Sequence, residues 1–413
     1  MTLLAAGAVA IMLACVIGVA VKFPAGAAVG WVLVLEAMPE FWLPGGAGAH
    51  EAIIGAEKAA GILLALILAI RAGARADRYN PVFAYLWMFF AGVAHGLFPG
   101  LSLLESFRSL TGSVAPFLFG FARLPEKFCR VVIRAVTLAP FWSVACGAAL
   151  QAAGLHAMFD ATGGTPRLTG PGEAPFLAGF ALVAIYAGLV EVLERPGRRE
   201  FFVLLGNFVI LLATGARAPL ALAVLVGVAA FMLPNAKIPA GAKVSLLAGT
   251  GIMAGLAFIF AGSLGFLRVV DLAQAGQATN LSNRGLTWPY FQAAIHNSPL
   301  LGWGVGAGKS VIPVDSPLSG LIGTNAAHNE YLRIGAEGGF FGLALLAALM
   351  GLWAWRGSAP LPAPQRWLMR VIFLAFALHS WTDNTLIATT SSVLFLWVSV
   401  VFATPRQRAT ARA

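Results

Sequence analysis

GTNAAHNEYLRIGAEGG, residues 323–339, runs directly into FFGLALLAALMGLWAW, residues 340–355. The first piece gathers a histidine, two asparagines, a tyrosine, two glutamates and an arginine in a chain of which only 11% is charged. The second carries no charge, and with its flanks it approaches the roughly twenty apolar residues that cross a bilayer as a helix. The junction therefore reads as a polar helix entering a membrane at its outer face. Thr324 or Asn325 is the expected cap, which puts His328 in the first turn. Helical spacing then sets Asn325 beside Asn329, His328 beside Leu332, and Arg333 beside Glu337, with Glu330, Arg333 and Glu337 making local ion pairs.

Outward from this junction the same texture recurs. The 413 residues are 59% hydrophobic with a mean hydropathy of +0.83, which indicates an all-α polytopic membrane protein. Apolar segments predict helices near 2–21, 25–43, 52–70, 81–98, 108–122, 130–153, 175–194, 201–215, 218–233, 244–262, 338–355, 367–383 and 386–403. That makes a bundle of about twelve or thirteen helices, the lower count if one early segment merges or re-enters. The run TLLAAGAVAIMLACVIGVAV, residues 2–21, follows no basic region and is expected to be a retained span, with the mature chain starting near Met1. Cys15, Cys129 and Cys146 have neither metal nor disulfide spacing.

The net charge of +10 points to topology rather than to nucleic acid. RAGARADR (71–78), RLPEK (123–127), RPGRR (195–199), PNAKIPAGAK (234–243), RGSAPLPAPQR (356–366) and RQRATAR (406–412) fall on one side if the spans alternate, and that side is cytoplasmic by the positive-inside rule. Two polar segments then face outward, 154–174 and 263–337, the longer expected to be a partly helical cap. The organisation is N-terminal transmembrane helices over 1–262, the cap over 263–337, and C-terminal helices with a cytoplasmic tail over 338–413. A cavity between cap and bundle is expected to open sideways to lipid.

Some cations fall away from the basic side. Lys58, beside Glu57, is expected to snorkel from near the end of its span. Arg108, Arg167, Arg217, Arg268, Arg284, Lys309 and Arg333 lie at the outer face or in its loops, and such a cluster suits an anionic ligand. LLATGARAPLALAVL, residues 211–225, places Arg217 in a tight turn between two apolar helices, with Pro219 in the first turn of the second. Arg217 either binds a ligand or pairs with backbone carbonyls or a carboxylate such as Asp383. Arg284 precedes an amphipathic helix ending near Asn297 and Ser298. A guanidinium's planar fork fits phosphate at both positions. LLGWGVGAGKS, residues 300–310, imitates a nucleotide-binding P-loop, but that motif requires glycine where Trp303 stands. Its glycines are expected instead to let backbones approach closely. His328 has the chemistry to take a proton from a hydroxyl near neutral pH.

Three stretches together resemble the O-antigen ligase and O-antigen polymerase family of membrane glycosyltransferases. They are TGARAPL (214–220), SNRGLTWPYFQAAIHNSPLLGWGVGAG (282–308), with its R-x-x-x-W and P-L-x-G-x-G-x-G features, and AHNEYLRIGAEGGFFG (327–342). RLTGPGEAP (167–175) resembles a further family loop but lacks the N-P-N-like continuation. The resemblance covers roughly residues 200–350. It implies a GT-C-like, metal-independent, inverting transferase without cofactor, in the bacterial inner membrane with its active site at the periplasmic face. The donor would be a glycan on undecaprenyl diphosphate, and the acceptor a lipid A core sugar or a growing polysaccharide. By position, Arg217 and Arg284 would bind the diphosphate and His328 would be the catalytic base, with Arg167, Asn329 and Tyr331 also touching substrate. Membrane lipids are the remaining partner, and nucleic acid is not one.

Two other classes compete. A transporter or flippase of a lipid-linked or polysaccharide substrate would use ionisable groups near mid-membrane, for which Glu36, Glu57 and Glu191 are available. A noncatalytic scaffold would leave the outward arginines without a role.

Overall fold

The computed structural model describes residues 17–44, 47–160, 166–232, 284–322 and 324–410. The expected span at 244–262, Arg268, and most of the segment at 2–21 including Cys15 lie outside the described residues. Over the rest the chain is an all-α polytopic membrane protein. The helices are α1 (Pro24–Ala37), α2 (Ala47–Ala72), α3 (Val82–His95), α4 (Leu103–Val114), α5 (Glu126–Ala152), α6 (Ala174–Glu194), α7 (Arg198–Ala213) and α8 (Arg217–Met232). They continue with α9 (Trp288–Asn297), α10 (Ala307–Ser310), α11 (Pro317–Ile322), α12 (Glu330–Ser358), α13 (Ala363–His379) and α14 (Thr389–Thr410). Among the described residues the only paired strands are β1 (Phe159–Asp160) and β2 (Arg167–Leu168), which are antiparallel.

Four described helices, α2, α5, α6 and α12, are long and apolar enough to cross a membrane unaided. Other predicted spans are divided. The segment expected at 108–122 is the amphipathic α4 followed by a 3-10 helix, Ala115–Phe121. Pro116 falls at the junction, where its missing N–H and fixed φ suit the first turn of a new helix. The segment expected at 25–43 is α1 followed by a 3-10 turn, Pro39–Phe41. Helix α6 is apolar on all sides, the pattern of a helix with no solvated or lipid face, and it forms the centre of the bundle.

The described basic connections share one end. Arg75 Nε donates to Gly120 O, Arg123 N donates to Gly73 O, Trp353 Nε1 donates to Asp77 Oδ2, and Gln365 Nε2 donates to Glu194 Oε2. The opposite end carries the described part of the cap, which is partly helical around its own small core of Phe291, Ala294, Ile312, Ala327 and Ala336. Lys58 lies near the middle of α2, not near its end, because that helix already begins at Ala47.

The expected division at 337/338 falls inside α12, one residue before a break at Gly339 (φ 58°, ψ −163°). Trp303 N and Gly304 N donate to Ala336 O and Glu337 O, and Phe340 N and Phe341 N donate to Pro299 O and Leu300 O. The PLLGWG segment thus satisfies backbone groups that the break frees. Close approach is what its glycines supply: a Cβ on Gly302 would lie 2.5 Å from the backbone of Glu337 and Gly338, and Gly302 also has φ 67°. Gly302→Ala adds both a left-handed alanine and a backbone clash. It is expected to destabilise the protein by more than about 2 kcal/mol, read as a lowered Tm in detergent.

Candidate active site

Helix α12 begins later than its sequence indicates. Asn329 is the N-cap, its Oδ1 accepting from Tyr331 N at 3.0 Å and Leu332 N at 3.2 Å. His328 therefore precedes the helix and is not in its first turn; its φ of 45° turns the chain out of helical geometry. Thr324 and Asn325 do not cap α12. Thr324 Oγ1 accepts from Ala326 N, and Asn325 Nδ2 donates to Lys309 O.

The start of α12 is clamped to the α13–α14 connection. Glu330 N donates to Ser380 O at 2.8 Å, Leu386 N donates to Glu330 Oε1 at 3.0 Å, and Tyr331 Oη donates to Ala377 O at 2.8 Å. Arg333 lies behind these groups, buried, with one guanidinium nitrogen 2.6 Å from Glu330 Oε1 and another 2.8 Å from Glu337 Oε2. The expected ion pairs are present. Arg333 consequently leaves the set of outward cations: its charge is met by two carboxylates inside the fold.

The clamp sets His328 opposite Asp383. His328 Nδ1 is 3.5 Å from Asp383 Oδ1, and His379 Nε2 is 4.0 Å from Asp383 Oδ2. Asp383 Oδ1 also accepts from Asn384 N at 2.8 Å. A carboxylate facing Nδ1 favours the tautomer that leaves Nε2 free to accept a proton. Among the described residues no group of three His, Cys, Asp or Glu side chains is arranged to hold a metal ion.

His328, His379 and Asp383 open onto a cavity of about 310 Å3 that runs between α6, α13, α14 and the Pro39–Phe41 turn. Glu40, His50 and Glu173 stand on its other side. Burial pushes the Glu40 carboxyl above the usual carboxylate range, against the lowering effects of a backbone hydrogen bond and of His50.

The arginines lie at the same end of the bundle. Arg217 is half-buried at the start of α8, after a turn in which Gly215 has φ 64°. Arg167 Nε donates to Thr214 O at 2.9 Å, which fixes the β2 segment to that turn. Arg284 opens a 3-10 turn, Arg284–Leu286, just before α9. Trp288 Nε1 donates to Ala327 O at 3.1 Å, so the R-x-x-x-W spacing ties the arginine's turn to the residue preceding His328. Arg108 and Lys309 are exposed.

Residues 201–347 match a family model described as O-antigen ligase. Over that segment, about a third of the chain, the protein is similar to the O-antigen ligase family. The TGAR, R-x-x-x-W and AHNEYLR stretches all fall inside that match. The ligase-family segment contains Arg217, Arg284 and His328, while Glu40, Arg167, His379 and Asp383 lie outside it. The match supports ligase- or polymerase-type activity in polysaccharide biosynthesis, on lipid-linked glycan and acceptor substrates in general. No curated protein matches the chain.

Sequence reasoning did not give His379 or Glu40 a role, and it raised Asp383 only as a partner for Arg217. The available signal was HSWTDN, residues 379–384, where a histidine and an aspartate four apart break an otherwise apolar region. Asn329 and Tyr331, expected to touch substrate, have backbone partners and hold the helix start.

Proposed function

We propose that the chain is a metal-independent, inverting glycosyltransferase that moves a glycan from undecaprenyl diphosphate to an acceptor sugar hydroxyl at the periplasmic face of the bacterial inner membrane. The observation that carries this reading is His328, held opposite Asp383 at the mouth of a cavity, with the turns of Arg167, Arg217 and Arg284 at the same end of the bundle. His328 Nε2 takes the proton of the acceptor hydroxyl as its oxygen bonds to the anomeric carbon of the donor. The bond from that carbon to the diphosphate breaks on the opposite face. Its electron pair leaves with undecaprenyl diphosphate, whose growing charge Arg217 and Arg284 stabilise. Arg167 supports the turn of Arg217 and lies near enough in the fold to add a third cation. The acceptor is a lipid A core sugar in a ligase, or the end of a growing polysaccharide in a polymerase.

Carboxylates available to a transporter are dispersed. Glu191 opens onto a cavity at the basic end, with Glu126, Arg134 and Glu200, whereas Glu36 lies toward the opposite end of the bundle.

Transfer from undecaprenyl-diphosphate-linked glycan by the purified protein tests the proposal. Activity is expected to persist in EDTA. Arg217→Lys and Arg284→Lys keep the charge but lose the two-pronged hydrogen bond, and each is expected to lower kcat by about 10²- to 10³-fold. Absence of transfer by the parental protein, or its loss in EDTA, would overturn the reading.

A further inference from the structure

The cavity beside His328 is built for something other than a diphosphate. Its wall carries Glu40, Glu173 and Asp383 with three histidines, and no lysine or arginine among the described residues lines it. A dianionic headgroup would meet three carboxylates there, at a like-charge cost.

Several hydrogen-bonding groups in the wall have no partner. Glu40 Oε2, Asn384 Oδ1 and Tyr186 Oη are all buried without a hydrogen bond among the described residues. Leaving such groups unsatisfied is costly, and three around one space call for a polar occupant. Phe41 and Phe176, with ring centroids 5.4 Å apart, supply an apolar surface in the same wall. A polyhydroxylated ring has this combination of edges that hydrogen-bond and faces that do not. The volume of about 310 Å3 sits at the small end of ligand cavities, suited to one sugar unit rather than to an oligosaccharide.

The backbone presents Glu40 deliberately. Met38 (φ 44°) and His328 (φ 45°) are the two non-glycine residues with positive φ among the described residues. One turns the chain into the Pro39–Phe41 turn and the other is the base itself, so both strained positions flank this cavity.

We propose that the cavity is the acceptor subsite, taking the terminal sugar of the acceptor, with Glu40 as a specificity-determining residue that hydrogen-bonds its hydroxyls across from His328. This rests on the transferase reading. Because burial outweighs the opposing effects of its backbone hydrogen bond and of His50, Glu40 is suited to holding a proton and so to both donating and accepting. Asn384 contributes a second anchor next to Asp383.

Glu40→Leu separates this from a structural role, because removing an orphaned buried carboxyl should leave the fold unharmed or more stable. Initial rates are measured with undecaprenyl-diphosphate-linked glycan as donor. The acceptor is whichever extracted pool the parental protein glycosylates, lipid A–core glycolipid or the lipid-linked glycan itself. Glu40→Leu is expected to raise KM for the acceptor about tenfold or more with donor KM unchanged, and Glu40→Gln to raise it less. An acceptor KM within twofold of the parental value, or a rise confined to the donor, would overturn the inference and leave a water-filled structural cavity. If Glu40→Leu does not fold, the Glu40→Gln acceptor KM decides in the same way: raised supports the subsite, unchanged overturns it. Absence of any transfer by the parental protein would instead sink the transferase reading, and this inference with it, without reference to Glu40.

Discussion

His328→Gln is expected to bind lipid-linked donor as the parental protein does and to lose transfer by about 10²- to 10⁴-fold, the range that a positioned general base contributes. Glutamine fills similar space and keeps a hydrogen bond but takes up no proton near neutrality. Binding should survive because the diphosphate is assigned to Arg217 and Arg284, on other segments of the chain. Asp383→Asn serves as a companion: with His328 Nδ1 only 3.5 Å from Asp383 Oδ1, removing the carboxylate frees the ring's tautomer and orientation. Its effect is expected to lie in kcat rather than in donor KM. Donor binding and product formation are measured in parallel on detergent-stable protein. Turnover near the parental rate in His328→Gln would assign proton removal to another group.

Arg333→Met is expected to have the largest effect on stability. Arg333 is buried between Glu330 and Glu337, at 2.6 and 2.8 Å. Removing the cation leaves two buried carboxylates facing each other without compensation, at a cost of about 3–5 kcal/mol. The double substitution Arg333→Met with Glu337→Met removes one of the stranded charges and should recover part of the lost Tm. Glu330 must stay, since its Oε1 also accepts from Leu386 N. Transfer should fall along with Tm, because Glu330 belongs to the clamp that sets His328 opposite Asp383. A single Arg333→Met variant with parental Tm would show that the ion pairs contribute nothing net.

Much of the architecture was legible because bilayer thickness and backbone hydrogen bonding leave few options for an apolar chain. The TGAR turn could be read from Gly215, Arg217 and Pro219 alone, and the Glu330–Arg333–Glu337 pairs from helical spacing. The helix start was misplaced because Thr324, Asn325 and Asn329 are all good caps, and the choice among them is made by the 377–386 segment, which sequence spacing cannot bring near. Asp383 lies 55 residues after His328 and outside the ligase-family segment. Glu40 was invisible for a similar reason: it falls in a segment expected as a helix, and only the Pro39–Phe41 turn brings it to the wall of the cavity that His328 also lines. The glycines of PLLGWGVG showed that something approaches closely, and only the break at Gly339 shows what.

The clamp on Glu330 also has a consequence for the order of synthesis. His328 and the helix start that follows it emerge from the ribosome well before their anchors, with Leu386 56 residues behind Glu330. Until α13 and α14 have entered the bilayer, Glu330 lacks both backbone partners and His328 lacks Asp383. Insertion of that hairpin is therefore the assembly step that arms the protein, and a nascent chain stalled before it would occupy the membrane while remaining chemically silent.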